Sequence, residues 1–389
     1  MRRWVRDDHV FLSPGYDPEA VYGRRIVLSV LFGDAEAGKT TRCHRARGSV
    51  PFSGRVRDLL ASIAMKSTIT DRFSAYHGDT IEVARAIPTD SCDYSIFSPP
   101  FCSLYTFSNS DRDMSNVKNP AEFFGHFRYL IREQFRVMKP GRLVSVHCMM
   151  LTTSLAHDGH IGMYDFRGDI IREYRKCQLE IPCGLADEFN GCCPHGFGFH
   201  SEVVIWKDPV VAMQRTKSLG LLHKTIRTDS SRSRQGCADY VVTFRKPGTN
   251  PDPISHWSTS RQTKKPQGDQ AKDEQMEIET WQQYASPVWM DINPGDTLQH
   301  KSAREHEDER HISPLQLEVI RRCVKLWSRK DDVVWSPFMG IGSEGYVALQ
   351  SGRRFIGAEL KASYYEQAVR NLTEAQTVKQ ETLFALDAG

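Results

Sequence analysis

A glycine turn between a strand and a helix constrains the fold of this chain most strongly. Gly340, Gly342 and Gly345 have the spacing G-x-G-x-x-G and come shortly after the strand-like run 332–335. Glycines let a backbone approach a ligand closely, and the amino terminus of the following helix adds unpaired N–H groups. The next strand-like run ends in Glu359, where a carboxylate can accept hydrogen bonds from both hydroxyls of a ribose. This spacing predicts a site for an adenosine-containing ligand, with a turn that only packs helix against strand as the alternative.

Strand and helix signals alternate in both regular parts of the chain. Strand-like or helically spaced apolar residues occur at 81–87, 93–97, 120–135, 143–146, 317–327, 332–335 and 354–359. The triplet Lys139-Pro140-Gly141 predicts a turn between the helix 120–135 and the strand 143–146. Such alternation predicts an α/β fold with a doubly wound, mostly parallel sheet.

A second motif, Ser98-Pro99-Pro100-Phe101, follows the buried strand 93–97. The two prolines remove two N–H donors and stiffen the backbone, so that carbonyl oxygens are left as acceptors beside an aromatic ring. Such a site suits a flat group that carries an N–H₂ donor, because the ring stacks on it and the oxygens accept its protons. A stiffened strand end without a binding role is the alternative.

With these two motifs the chain resembles the DNA amino-methyltransferases, which methylate cytosine at N4 or adenine at N6. Their catalytic tetrapeptide [DNS]-P-P-[YFW] matches Ser98, Pro99, Pro100 and Phe101, and their motif D-P-F-x-G-x-G matches residues 336–342 except that Ser336 replaces the aspartate. The resemblance implies S-adenosylmethionine as cofactor. The residues that it implies for cofactor binding are Asp79, His311, Pro337, Phe338, Gly340, Gly342, Ser343 and Glu359.

The catalytic motif precedes the cofactor motif, as in the circularly permuted beta arrangement of that family. The resemblance therefore implies a Rossmann-like methyltransferase fold, in which permutation only relocates the chain termini. It also implies a phage or bacterial source and a possible cognate restriction enzyme. The predicted segments are an extension of unclear role (1–70), a catalytic half (71–206), a basic region (207–246), a flexible linker or insertion (247–280) and a cofactor-binding half (281–389).

Ser98 favours cytosine N4 as the methylated atom, because a leading serine is more typical of the cytosine enzymes in the family. Adenine N6 stays open as the alternative. A cytosine-C5 reaction, suggested by Pro182-Cys183, is disfavoured because that pair lies far from the catalytic strand. A nicotinamide-dependent oxidoreductase would leave residues 98–101 unexplained, and a DNA-binding protein without catalysis is a third possibility.

Double-stranded DNA is the expected partner, and its contacts are expected between residues 207 and 246. Short polar side chains and an excess of cations in this region suit phosphate contacts, with a solvated basic face as the alternative. The predicted DNA-binding residues are Lys207, Arg215, Lys217, Lys224, Arg227, Arg232 and Arg234. The target base is expected to leave the stack in order to reach Phe101.

Composition adds little about partners, because the formal net charge of the 389 residues is only +3. No apolar run is long enough for a membrane span, so a cytoplasmic protein with reduced cysteines is expected. No C-x-x-C pair anchors a zinc site, and no metal is expected. Residues 33–40 fit G-x-x-x-x-G-K-[ST], but no helical apolar period follows them, which disfavours a phosphate loop.

Overall fold

The computed structural model describes residues 65–101, 113–117, 119–179, 195–216, 222–256, 276–299 and 314–387. Several predictions fall outside these stretches and concern the segment 33–40, Cys183, Lys217 and His311. Within the described stretches, no helix is both long and apolar enough to cross a membrane.

The strands of the described part are β1 (Lys66–Ile69), β2 (Phe73–His77), β3 (Cys92–Phe97), β4 (Met138–Met149), β5 (Leu151–Thr153), β6 (Gly162–Tyr164), β7 (Gly198–Ile205), β8 (Asp239–Arg245), β9 (Val288–Trp289), β10 (Val333–Ser336) and β11 (Arg354–Glu359). Nine of them form a central sheet in the order β1-β2-β11-β10-β3-β4-β8-β7-β9. The five neighbours from β2 to β4 run parallel to one another. β8 is antiparallel to both β4 and β7, and β5 pairs with β6 in a separate hairpin.

Helices cover both faces of this sheet. They are α1 (Thr80–Ala86), α2 (Pro120–Val137), α3 (Leu155–Asp158), α4 (Phe166–Arg175), α5 (Pro209–Thr216), α6 (His223–Thr228), α7 (Ile278–Tyr284), α8 (Leu317–Trp327), α9 (Ser343–Gln350) and α10 (Ala362–Asp387). Buried side chains of α1, α2 and α4 form one core, and those of α8, α9 and α10 form a second. The predicted doubly wound, mostly parallel α/β fold is therefore confirmed.

The path of the chain across the sheet reverses between β10 and β3. From β10 the chain passes through α9 to β11 on one side, whereas from β3 it passes through α2 to β4 on the other. Doubly wound sheets bind ligands in the crevice outside the strand ends at such a reversal. Ser98 follows β3 and Pro337 follows β10, so both predicted motifs begin at this crevice.

Local sequence signals account for the ends of several elements. Asn119 caps α2 by accepting the N–H of Glu122 at 2.9 Å, and Pro120 occupies the first turn, as predicted. β4, however, begins at Met138 and runs through the predicted turn at 139–141. Gly141 absorbs the irregularity with a φ of +72°, and its N–H donates to the carbonyl of Lys246 at 3.0 Å.

Two of the predicted segments overlap elements of the structure. The basic region 207–246 includes β8, which is a buried strand between β4 and β7 and therefore part of the central sheet. The linker 247–280 overlaps the start of α7, because that helix begins at Ile278. Charge and composition did not reveal β8, because its pairing with β4 and β7 places it in the sheet.

Candidate active site

A cleft of about 1170 Å³, part of it open to solvent, lies at the crevice between β10 and β3. Both predicted motifs line it, although more than 200 residues separate them in the sequence. The predicted residues that line the cleft are Asp79, Ser98, Pro99, Pro100, Phe101, Pro337, Phe338, Gly340, Ser343 and Glu359. Gly342 lies in the same turn between two lining residues, whereas His311 is outside the described residues.

The glycine turn is shaped by its first two glycines. Gly340 and Gly342 have φ angles of +52° and +88°, which disfavour any residue with a Cβ. Gly342 is the N-cap of α9, so the first N–H groups of that helix lie beside the cleft. Gly345 instead lies inside α9, where an added Cβ would come within 2.4 Å of Leu372. The third glycine therefore allows close packing of α9 against α10, whereas the first two shape the turn.

Glu359 ends β11 and connects the glycine turn with the segment after β2. Its two carboxylate oxygens accept the N–H of Gly340 at 3.0 Å and the N–H of Lys361 at 2.9 Å. Its backbone carbonyl accepts the N–H of Gly78 at 2.9 Å, which brings Asp79 to the same end of the sheet. Burial raises the pKa of Glu359 to about 7, although the two N–H donors oppose this shift.

Glu344 also lines the cleft and was not predicted as a site residue. It lies in the first turn of α9 and is only 4 % exposed. Burial, together with repulsion from Glu359, raises its pKa to about 8. A buried carboxyl group of this kind can hold a cationic part of a ligand, because an adjacent positive charge offsets the cost of burying its charged form. Its position directly after Ser343 was the only sequence signal that could have identified it.

The tetrapeptide 98–101 lies between two aromatic contacts. Phe97, the last residue of β3, lies with its ring centroid 5.8 Å from that of Phe338, which precedes the glycine turn. Phe101 is only partly buried, and its ring meets Phe166 edge-on at 6.2 Å. Its ring also meets that of His147 edge-on at 6.3 Å, and the partly exposed side chain lines the cleft, where it can contact a flat ligand.

Ser98 makes a contact that the sequence did not predict. Its hydroxyl lies 2.7 Å from Nδ1 of His147, near the carboxyl end of β4. Nε2 of that ring lies 3.2 Å from Oδ2 of Asp239, and the same carboxylate lies 2.5 Å from Nζ of Lys207. Burial opposes ionisation of Asp239, but His147 and Lys207 lower the pKa of this aspartate below its ordinary value. A histidine after an apolar strand was the available signal, and the prediction of that strand stopped one residue short of it.

The predicted DNA-binding residues lie between β7 and β8, in the connection formed by residues 206–238, which is called the excursion below. Because β7 and β8 are antiparallel and Asp239 pairs with Met149 at the end of β4, the excursion leaves and returns at the edge where Ser98 lies. Lys224, Arg227 and Arg232 are exposed there, and Arg234 is partly exposed. Lys207 is bound internally to Asp239. Arg215 belongs to α5, but its side chain is not described.

Comparison with known proteins gives one family for most of the chain. The family model described as DNA methylase, for the N6 and N4 enzymes, matches residues 92–370. The chain is 34 % identical over 83 residues to the type II methyltransferase M.BglII of Bacillus subtilis, which covers 21 % of this chain and 23 % of that protein. It is 33 % identical over 92 residues to the DNA adenine methyltransferase YhdJ of Escherichia coli K12, which covers 23 % and 31 %. The matches thus span less than a third of either relative.

Among solved structures, the chain is similar to TTHA0409 of Thermus thermophilus in complex with S-adenosyl-L-methionine. The TM-score is 0.52 at 19 % identity, and the match covers 78 % of this chain and 95 % of that chain. At this level of identity the similarity concerns the fold.

Proposed function

The chain belongs to the N6/N4 DNA methylase family, and we propose that it transfers a methyl group from S-adenosylmethionine to an exocyclic amino group of a DNA base. The observation that carries this proposal is the shared cleft, in which residues 98–101 and the glycine turn face the same space at the reversal of the sheet. A single bound cofactor can then present its methyl group to a base that stacks on Phe101. An oxidoreductase would leave the tetrapeptide and its proline-stiffened acceptors without a role.

The carboxyl groups of the cleft suit the hydroxyl, amino and cationic groups of S-adenosylmethionine. Glu359 would accept the ribose hydroxyls, in the way that carboxylates at this position of such folds do. Glu344, a buried carboxyl group, would face a cationic part of the cofactor. Asp79 would contact the adenine, although its Oδ1 already accepts the N–H of Ile81 at 2.8 Å. When bound, the cofactor supplies a methyl group activated by an adjacent sulfonium, so that this chain has only to align the acceptor.

The acceptor site consists of the strand end at Ser98 and the ring of Phe101. An exocyclic amino group is a weak nucleophile, because its lone pair is delocalised into the base. Hydrogen bonds from the amino protons to oxygens at the tetrapeptide localise that lone pair on nitrogen and orient it toward the cleft. The base has to leave the duplex to reach this depth, and stacking on Phe101 offsets part of the cost of unstacking.

Cytosine N4 is the proposed acceptor atom, on the basis of the leading Ser98. Adenine N6 is the second candidate, since one relative, YhdJ, is a DNA adenine methyltransferase. Incubation of the protein with DNA and the cofactor, followed by digestion to nucleosides and mass spectrometry, separates the two. N4-methylcytosine is expected. N6-methyladenine would reject the assignment of the base, and the absence of both would reject the function.

The proposed DNA contacts are the cations of the excursion between β7 and β8. Lys224, Arg227, Arg232 and Arg234 oppose one acidic residue, Asp229, between residues 222 and 238. Their position at the edge that carries Ser98 lets them hold phosphates while a base enters the cleft. Lys207 is left out of this set because it is bound to buried Asp239.

A further inference from the structure

His147 connects the catalytic tetrapeptide to a buried charge. Its ring is only 8 % exposed and lies between the hydroxyl of Ser98 and the carboxylate of Asp239. Three strand ends meet here, since Ser98 follows β3, His147 lies near the end of β4 and Asp239 begins β8. Neither cofactor binding nor stacking of a base requires a histidine at this point.

The charges around the ring determine which nitrogen carries the proton. Nε2 lies 3.2 Å from Oδ2 of Asp239, and two lone pairs at that distance would repel each other. The proton therefore belongs on Nε2, which leaves Nδ1 as an acceptor. At 2.7 Å, Ser98 Oγ then donates its hydrogen to Nδ1. The lone pairs of Ser98 Oγ remain available to accept a proton of the substrate.

Serine, histidine and aspartate in this order also suggest acyl transfer, but the backbone excludes it. Acyl transfer needs N–H donors for the oxyanion, and the residue after the nucleophile commonly provides one. Here the two residues after Ser98 are Pro99 and Pro100, which have no N–H. The same prolines suit the acceptance of amino protons, which requires oxygens and no N–H donors.

We propose that His147 acts through Ser98 as the proton acceptor of the methyl-transfer reaction, and that Asp239, anchored by Lys207, fixes its tautomer. This inference rests on the proposed function, because it assigns a path for the proton that the acceptor nitrogen must lose. Within that path Ser98 touches the substrate, and His147 is a positioning residue.

The proposed step balances in atoms and charge. A bond forms between the amino nitrogen and the methyl carbon, while the carbon–sulfur bond breaks and leaves its electron pair on a neutral thioether. The nitrogen, now cationic, gives a proton to Ser98 Oγ as Ser98 gives its own proton to His147 Nδ1. The products are a neutral methylated amine, the original serine hydroxyl and an imidazolium beside Asp239. The imidazolium then releases its proton to solvent.

Two substitutions separate orientation from proton acceptance. In His147→Asn an amide oxygen can stand in for Nδ1 and accept from Ser98, but it cannot take up a proton at neutral pH. In His147→Phe the ring shape next to Phe101 is kept, but both nitrogens are lost. Single-turnover methyl transfer is expected to fall about 100-fold in His147→Phe, in the range of general-base effects. A fall of about 100-fold is expected in His147→Asn as well, because proton acceptance is lost there too, and the Kd of the cofactor and of DNA should stay within about twofold of wild type in both variants.

A double-mutant cycle with Ser98→Ala tests whether His147 acts through Ser98. With the hydroxyl removed, His147→Asn should lower the residual rate by less than about twofold. The reason is that the effects of substitutions within one proton-transfer chain are not additive. His160→Asn, at an exposed histidine in the turn between β5 and β6, is the matched control and should leave the rate unchanged. A thermal unfolding curve of each variant identifies any that fails to fold, and His147→Asn then decides the outcome in place of His147→Phe.

Different results would reject different claims. If the wild type methylates DNA and both His147 variants match its rate, the role of His147 is wrong and the proposed function stands. The same holds if His147→Asn lowers the rate as much in the Ser98→Ala background as in the wild type. If the wild type transfers no methyl group, the proposed function fails and the role of His147 fails with it.

Discussion

The hydroxyl of Ser95 donates a 2.9 Å hydrogen bond to the backbone carbonyl of Trp335, across 240 positions of the sequence. Both residues are fully buried, and they are register partners in the parallel pair of β3 and β10. The bond joins the strand that leads to Ser98 to the strand that leads to the glycine turn. The two halves of the cleft are therefore held from within the sheet, so that side chains in the cleft can be changed without removing its support.

Replacement of Phe101 by alanine should remove the surface on which the base stacks. We expect methyl transfer to fall about 10- to 100-fold, since stacking on an aromatic side chain is worth about 1–3 kcal/mol. Affinity for S-adenosylmethionine should stay near that of the wild type. Transfer of a labelled methyl group and equilibrium binding measure the two quantities. Tyr129→Ala, at an exposed aromatic on α2, is the control, and full activity of Phe101→Ala would contradict the assignment.

Replacement of Glu359 by alanine should weaken binding of the cofactor. The substitution removes the carboxylate proposed to accept the ribose hydroxyls, and a hydrogen bond to a charged group contributes about 1.5–3 kcal/mol. A rise in Kd of about 10-fold or more is expected by calorimetry. Glu366→Gln, at an exposed glutamate on α10, should leave Kd unchanged. Equal affinity in the wild type and in Glu359→Ala would remove Glu359 from the cofactor site.

The stability of the cofactor-free protein should fall as the pH rises from about 5 to 8. The pKa of Glu344 is raised to about 8 and that of Glu359 to about 7, whereas both ionise near 4.5 in the unfolded chain. In this window the folded state binds more protons than the unfolded state, so each rise in pH favours unfolding. The slope is at most about 1.4 kcal/mol per pH unit for each group. Glu344→Gln should flatten the dependence of Tm on pH in this window, and a curve parallel to that of the wild type would contradict the burial argument.

Replacement of Arg232 and Arg234 by alanine should weaken DNA binding and leave cofactor binding intact. Each lost phosphate contact should reduce the slope of log K against log salt by about 1, so the double variant should lose about 2. Titration of duplex DNA at several salt concentrations measures that slope. Arg85→Ala with Arg128→Ala removes two exposed arginines from α1 and α2 and is the matched control. An equal loss of DNA and cofactor affinity would mean that the excursion supports the fold and does not contact DNA.

Replacement of Arg142 by alanine should destabilise the protein strongly. This arginine is 1 % exposed, and its guanidinium lies 3.3 Å from Asp93 and 3.1 Å from Asp332. Burial and the charge of Asp93 already raise the pKa of Asp332. Removal of the cation would leave two buried carboxylates close together, at a cost of about 3–5 kcal/mol in the free energy of unfolding. Denaturant unfolding measures this cost. Arg128→Ala, at the surface, is the control and should lose less than about 1 kcal/mol. A loss as small as that in Arg142→Ala would contradict the prediction.

Much of the candidate site followed from local sequence. A strand, a glycine turn and a helix lie close together in the sequence, so their spacing predicted the turn and the carboxylate of Glu359. Two prolines after an apolar strand predicted carbonyl oxygens that can accept hydrogen bonds next to Ser98. Asp79 was named through a family resemblance, but β2 in front of it was missed. The short run Phe73–His77 carries little strand signal on its own and is stabilised by pairing with β1 and β11.

The amino-acid sequence by itself determined which residues end the strands and turn the backbone, because proline, glycine and capping side chains act on their immediate neighbours. Only the tertiary structure decided which strand ends meet. The order β10-β3-β4-β8 brings His147 and Asp239 to Ser98 and seats Glu344 beside Glu359, and these contacts join residues distant in sequence. The ionisation of a buried group depends on every group around it, and here those groups come from distant parts of the sequence. The contacts of Ser98 with His147 and of His147 with Asp239 therefore could not be predicted from local sequence.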